Sequence, residues 1–170
     1  MMAKIETDEA LLLDLLNTTP VVEGTQLDQL ASVAAGRQWL AAHGQVSSAD
    51  EWGSVVAARS ALQDVVRGVA APAALAPWVD GVRLDATLAG EGMTWTLGLP
   101  ERRSAAARAV LAWDALRATS PGRLRACANP DCRLFLIDHS KSNSARWCSM
   151  AACGNRMKAR RHYQRARQAP

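Results

Sequence analysis

No apolar run in this 170-residue sequence approaches the roughly 20 residues that a membrane-spanning helix needs. The nearest candidate, Leu11 to Leu16, is short and interrupted by Asp14. The opening residues also lack the basic stretch, apolar core and small-residue cleavage site of a secretory signal, so a cytoplasmic protein is expected. Paired catalytic carboxylates and a nucleophile–base motif are missing as well, which argues against an enzyme. Lysine is scarce, three against seventeen arginines, and acidic residues stop at Asp138. There is no internal repeat and no low-complexity tract beyond richness in alanine. What is there is ordinary in bulk: 49% hydrophobic and 21% charged residues, close to the averages of folded globular chains.

The charge is unevenly spread. Residues 1–122 hold nine Lys/Arg against fourteen Asp/Glu, a net of −5, whereas residues 123–170 hold eleven against two, a net of +9. An acidic body with a basic tail points to a polyanionic partner for the tail, with solubility as the plainer use of the same charge.

Along the first 122 residues the pattern is mainly helical. Glu9 to Asn17 reads as a short amphipathic helix, stopped by Asn17-Thr18-Thr19-Pro20 because the residue before a proline avoids the helical region. Leu27, Leu30, Val33, Ala34 and Leu40 recur near helical spacing and predict a second helix ending about His43-Gly44. Ser47-Ser48 followed by Asp50 and Glu51 is a helix start, a hydroxyl capping free N–H groups and two carboxylates at the positive end of the dipole. That third helix would run through Trp52, Val55, Val56, Leu62 and Val66 to about Val69. Pro72 and Pro77 break the pattern. Val82 to Asp85 and Thr94 to Leu97 alternate apolar with polar around Gly90-Glu91-Gly92, which predicts a β-hairpin. Pro100-Glu101 opens another helix, with Ala105, Val110, Trp113 and Leu116 inward, ending near Ser120-Pro121-Gly122. A domain boundary is placed there. Trp39, Trp52, Trp78, Trp95 and Trp113 all lie in this part, as core residues or as the lining of a pocket for a small apolar effector.

All four cysteines fall late and close together, as Cys127-x4-Cys132 and Cys148-x4-Cys153 with fifteen residues between the pairs. Two facing pairs of thiolates suit tetrahedral zinc, whose Zn–S bonds are about 2.3 Å, and leave no open coordination position. Such a site is structural. Disulfides need an oxidising compartment, iron–sulfur clusters use different spacings, and a redox switch could share the same residues. Asn129-Pro130-Asp131 supplies turn chemistry between the first pair, Arg133 to Ile137 reads as a strand, and Asp138 to Asn143 as a polar loop. A helix is expected to start between Ser149 and Asn155 and to run to about Ala166. A hairpin knuckle followed by a ligand-bearing helix start is the outline of a treble-clef finger. The fold class expected is therefore mainly α with small β-hairpins: a helical domain over residues 1–122 and a small, treble-clef-like four-cysteine zinc finger over residues 123–170. A segment this short buries little apolar surface, and a structural zinc ion worth roughly 10–16 kcal/mol would dominate its stability.

At these residues the sequence closely resembles the bacterial CGNR zinc-finger family. The name-giving stretch stands as Cys153-Gly154-Asn155-Arg156. Around it, Cys127-Ala128-Asn129-Pro130-Asp131-Cys132, Phe135, Asp138, Ser140 and Arg146-Trp147-Cys148-Ser149-Met150 match, and Lys158, His162 and Tyr163 fit the family's basic helix. Leu13-Asp14-Leu15-Leu16-Asn17-Thr18, Trp39-Leu40 and Ala58-Arg59 are similar to the helical domain that usually precedes the finger, though Leu15 and Leu16 stand where an aromatic residue is common. The resemblance implies a DNA-binding transcription regulator, often described as stress-induced, with the helical domain as a sensor.

The residues themselves suggest how. Lys158, Arg161 and Arg165 form one stripe on the last helix, and Arg156, Arg160 and Arg167 a second. Phosphate contacts by such side chains give salt-dependent affinity, and arginine can also read guanine edges. Lys141 and Arg146, with Arg133 and Asn143, are secondary candidates for backbone contacts, while Arg146 and Asn155 have an alternative structural use. The expectations are one structural zinc ion, double-stranded DNA as partner, a candidate small-molecule effector on the helical domain, a candidate homodimer and no membrane. The rival reading is an adapter that offers the finger to an acidic protein.

Overall fold

The computed structural model describes residues 8–90 and 92–168. Glu91, in the middle of the expected hairpin turn, lies outside the described residues. The chain runs through α1 (Glu9–Leu16), the two-residue strands β1 (Val21–Val22) and β2 (Thr25–Gln26), α2 (Val33–Ala42) and α3 (Ala49–Val66). A 3-10 turn (Pro72–Leu75), the short α4 (Ala76–Val79), β3 (Arg83–Ala89), β4 (Gly92–Gly98) and α5 (Ser104–Thr119) follow. Last come β5 (Leu124–Ala126), β6 (Phe135–Ile137), a wide π-type turn (Met150–Gly154) and α6 (Asn155–Gln168). The strands form three separate antiparallel hairpins. The architecture is thus mainly helical with small hairpins, as expected. No helix among the described residues is long and apolar enough to cross a membrane.

α1 packs on α5 and α3, and α2 packs on α3. Asp8 caps α1, its carboxylate accepting from Leu11 N at 2.8 Å. Leu11, Leu12, Leu15 and Leu16 are all buried, so α1 is covered on most of its surface. Ala105, Ala106, Ala109 and Ala112 of α5 are buried too, and their small side chains let neighbouring helices approach closely. Between α2 and α3 the approach is tightest at Gly36, where a Cβ would sit 1.8 Å from the Trp52 ring. The indole Nε1 then donates to the Leu30 carbonyl at 2.9 Å.

Buried polar groups tie the helices together. The Glu51 carboxylate is buried and accepts from Ser104 N at 2.8 Å, Ser104 Oγ at 2.7 Å and Ala105 N at 3.2 Å. The sequence places this residue in the first turn of its own helix. In the structure it caps α5, whose own cap position, Arg103, makes no side-chain cap bond, and its charge meets the positive end of that helix. Arg59 donates to both Asp28 oxygens at 2.7 and 2.8 Å and to Thr18 Oγ1 at 2.9 Å. That guanidinium holds the Asp28 carboxyl below its usual range. Gln63 donates to the Leu16 carbonyl and to Thr19 Oγ1.

Several boundaries differ from the sequence reading. α2 begins at Val33 behind Ser32, not at Leu27. Leu30 is buried, but from a loop in which Asp28 is engaged by Arg59 and by Leu30 N. β1 and β2 join through Glu23 and Gly24, both at positive φ, a two-residue hairpin turn that the sequence reading missed. α3 stops at Val66 because Gly68 turns the chain at φ 74°. α5 starts at Ser104, later than Pro100. Of the five tryptophans read as core or pocket residues, Trp39, Trp52, Trp78 and Trp113 pack half-buried against the core. Trp95 does not: it is exposed on β4.

Candidate metal centre and the helix it carries

The finger starts from a hairpin. β5 and β6 pair with Leu124 opposite Ile137 and Ala126 opposite Phe135. Cys127 N then donates to the Leu134 carbonyl at 2.8 Å, and Cys132 N to the Asn129 carbonyl at 2.9 Å, so the chain folds into a tight knuckle with both cysteines turned the same way. On the other side, Ser149 caps the wide turn by accepting from Ala152 N at 3.1 Å, which brings Cys153 back towards Cys148. Gly154 sits in a close approach. A Cβ there would lie 2.6 Å from the Met150 sulfur and 3.2 Å from the Trp147 ring.

The four sulfurs, of Cys127, Cys132, Cys148 and Cys153, all lie within 4.8 Å of one another. Cys132 and Cys148 are 3.8 Å apart, Cys148 and Cys153 3.6 Å. Four thiolates at about 2.3 Å from one tetrahedral zinc ion would be about 3.8 Å apart, so the cluster has the size and chemistry for that ion. The separations are far beyond the S–S bond of a disulfide, about 2.05 Å, and all four cysteines are free.

Hydrogen-bond donors already surround the sulfurs. Cys148 N donates to Cys127 Sγ and Leu134 N to Cys132 Sγ, both at 3.4 Å. The buried Asn129 side chain donates through Nδ2 to Cys153 Sγ at 3.3 Å, while its Oδ1 accepts from Asp131 N at 3.2 Å. Donors of this kind stabilise thiolate charge and orient the ligands. From sequence Asn129 reads only as a turn residue. Its place two positions after Cys127, next to Pro130, was the available signal. Burial pushes the Cys132 thiol up to about 11 and the Cys148 thiol higher still. Burial acts the same way on Cys153, but the Asn129 N–H and the neighbouring sulfurs outweigh it and bring that thiol down.

The loop between the pairs is organised by Asp138, which is buried and accepts from Ser140 N at 2.8 Å, Ala145 N at 2.7 Å and Arg125 at 3.2 Å. Ser140, with those N–H groups and the guanidinium, holds its carboxyl down to about 2. Arg125 also donates to the Asn143 side chain, and Arg123 to the Asp138 and Ser140 carbonyls. Lys141 and Arg146 are exposed. The Arg146 guanidinium lies 5.4 Å from the Trp147 ring centre, and its carbonyl accepts from Ala128 N. Asn143 is therefore occupied within the loop, and Asn155 and Arg156 are exposed.

α6 follows directly from the metal centre. Arg156, Lys158, Arg160, Arg161, Arg165 and Arg167 are all exposed. Among the described residues one of the six, Arg160, reaches an acid, Asp131 at 3.3 Å, with both side chains more than half exposed. At about 100° per residue, the Lys158, Arg161 and Arg165 stripe is centred about 150° around the axis from that of Arg156, Arg160 and Arg167. The two stripes thus face nearly opposite ways.

Compared with known families, residues 123–166 match the CGNR zinc finger. Within the matched segment lie the four clustered cysteines, which could hold one zinc ion. No curated protein matches the chain.

Proposed function

We propose that this chain is a zinc-dependent, DNA-binding regulator of transcription, in which the finger presents α6 to double-stranded DNA and the helical body regulates or pairs the molecule. The observation that carries the reading is the exposed α6, with six cations in two opposed stripes and no acidic residue on the helix. Such a helix repels itself in isolation and gains most from a ligand with negative charge on two sides. The major groove of B-DNA is about 12 Å wide, admits one helix, and is walled by phosphates on both edges. The Lys158 stripe would face one wall and the Arg156 stripe the other. Lys141 and Arg146, on the neighbouring loop, would add backbone contacts. Zinc would be held by the four thiolates and would cross-link knuckle and helix start. With no open coordination position the site would be structural and not catalytic, and a reducing cytoplasm would keep its thiols free for the metal.

A hollow of about 350 Å³ beside Trp113, lined by Val65, Val66, Leu116 and Leu124, lies between the body and β5. It is the place proposed for a small apolar effector, because ligand sites favour such junctions.

The test is duplex binding by the zinc-loaded chain across a salt series. With about six phosphate contacts, log K should fall with log salt at a slope near −5. Replacing Arg160 and Arg161 together by alanine should weaken binding and flatten the slope while zinc stays at one per chain. Unchanged binding in that variant would remove α6 as the reader, and a chain that shifts only with an acidic protein would be an adapter.

A further inference from the structure

The β3–β4 hairpin has two unlike faces. Its register puts Leu84 opposite Leu97, Ala86 opposite Trp95 and Leu88 opposite Met93. Because side chains alternate along a strand, these six share one face. Asp85, Thr87, Thr94 and Thr96 share the other. The apolar face is uncovered: Leu88 is 78% exposed, Met93 57%, Trp95 50% and Leu84 43%. Together they offer roughly 500 Å² of apolar surface, towards the upper end of what a monomeric protein exposes in one patch. A two-stranded hairpin is marginally stable by itself in water, so leaving this face wet is costly for the ribbon as well.

The chemistry of the face narrows its occupant. Among the described residues it bears no charge: the charged side chains of the two strands, Arg83 and Asp85, sit on the opposite face and pair with each other at 3.1 Å. Nucleic acid, an anionic lipid surface and the arginine-rich α6 of a neighbour are all poor matches. We propose that the face is covered by the same face of a second copy of this chain. The rungs are self-complementary. With a two-fold axis parallel to the strands, Trp95 sits over the hollow left by Ala86 of the second copy, Leu84 over its Leu97, and Leu88 over its Met93. Face-to-face ribbons stack about 10 Å apart, a layer that these side chains fill. Two patches bury about 1,000 Å² in total, at the lower limit for a specific interface, so the dimer is a weak, concentration-dependent one. The proposal stands independently of what the finger binds.

The experiment is sedimentation velocity on the zinc-loaded full chain without DNA, over about 1 to 200 μM, a range set by an interface of this size. The mass should rise from 18.2 kDa towards twice that value. Leu88→Thr with Trp95→Thr keeps strand-favouring residues at exposed positions and should raise the dissociation constant at least tenfold. Ala86→Trp, which fills the hollow without removing an apolar contact within the chain, should do the same. Circular dichroism and zinc content should stay as in the parent. A parent chain that remains at monomer mass throughout overturns the proposal and leaves the face to a different apolar partner. A dimer that persists undiminished in both variants overturns it too, because another surface would then be responsible.

Discussion

The side-chain amide of Asn17 meets the backbone of Phe135 as one strand edge meets another. Nδ2 donates to the Phe135 carbonyl at 3.2 Å, and Oδ1 accepts from Phe135 N at 2.7 Å. Asn17 closes α1 in the body, and Phe135 lies in the finger hairpin, buried in the same core cluster as Leu12, Leu16 and Leu62. Arg67 covers the ring at 4.4 Å and donates to the Arg133 carbonyl at 2.8 Å. Burial and the nearby Arg133 charge lower the Arg67 pKa from its ordinary value. Through these contacts the metal centre is seated on the helical body and α6 has a defined base.

Asn17→Ala should therefore loosen the seat without touching the metal. It leaves an N–H and a carbonyl of Phe135 without partners in a partly buried place, at a cost of about 1–3 kcal/mol. Urea unfolding followed by tryptophan fluorescence, with zinc kept saturating, measures the loss. Zinc stoichiometry should remain at one per chain. Asn17→Asp keeps the acceptor for Phe135 N but opposes the carbonyl, and should recover only part of the loss. A midpoint unchanged in Asn17→Ala would mean that the finger is held by its apolar contacts alone.

The Asn17 pairing also marks the limit of what the residues reveal by themselves. The zinc knuckle was legible because it is local: two cysteine pairs, a turn between the first two, and a helix start carrying the last. The arginine stripes were legible for the same reason. Asn17 and Phe135 are 118 residues apart, and no periodicity connects them. Glu51 reads as serving its own helix, since an acid in a first turn is a local signal, yet its partners are on α5. Leu27 and Leu30 keep helical spacing, but Asp28 between them is bound by Arg59, a tertiary bond that overrides a short pattern. Trp95 alternates correctly for a half-buried strand. Alternation says which residues share a face and nothing about whether a second layer covers it.

Asn129 gives a prediction about affinity. Its N–H is aimed at the Cys153 sulfur, and its oxygen holds the turn at Asp131, so removing it disturbs both charge and geometry at one ligand. Asn129→Ala should weaken zinc binding about 10- to 100-fold, the usual range for loss of an outer hydrogen-bonding partner. Competition against a chromophoric chelator reads this directly. The stoichiometry should still be one, because all four thiolates remain. An affinity equal to the parent's would assign Asn129 to turn formation only.

The thiols set the response to pH. Burial raises the Cys132 thiol to about 11 and carries Cys148 further in the same direction. Both therefore hold their protons near neutrality, and both must release them to bind zinc. Zinc loading should expel at least two protons, and log K for zinc should rise by at least two for each pH unit between about pH 6 and 8. Asp138 behaves oppositely. Its carboxyl is held down to about 2, so its contribution to the loop is complete above the ordinary carboxylate range and is lost only as pH falls through that depressed value. Acidification should thus empty the metal centre well before the Asp138 carboxyl itself takes up a proton. Calorimetry in buffers of different ionisation enthalpy counts the protons. A count near zero would mean that the thiols are already ionised before zinc arrives, and that the donors around the sulfurs outweigh their burial.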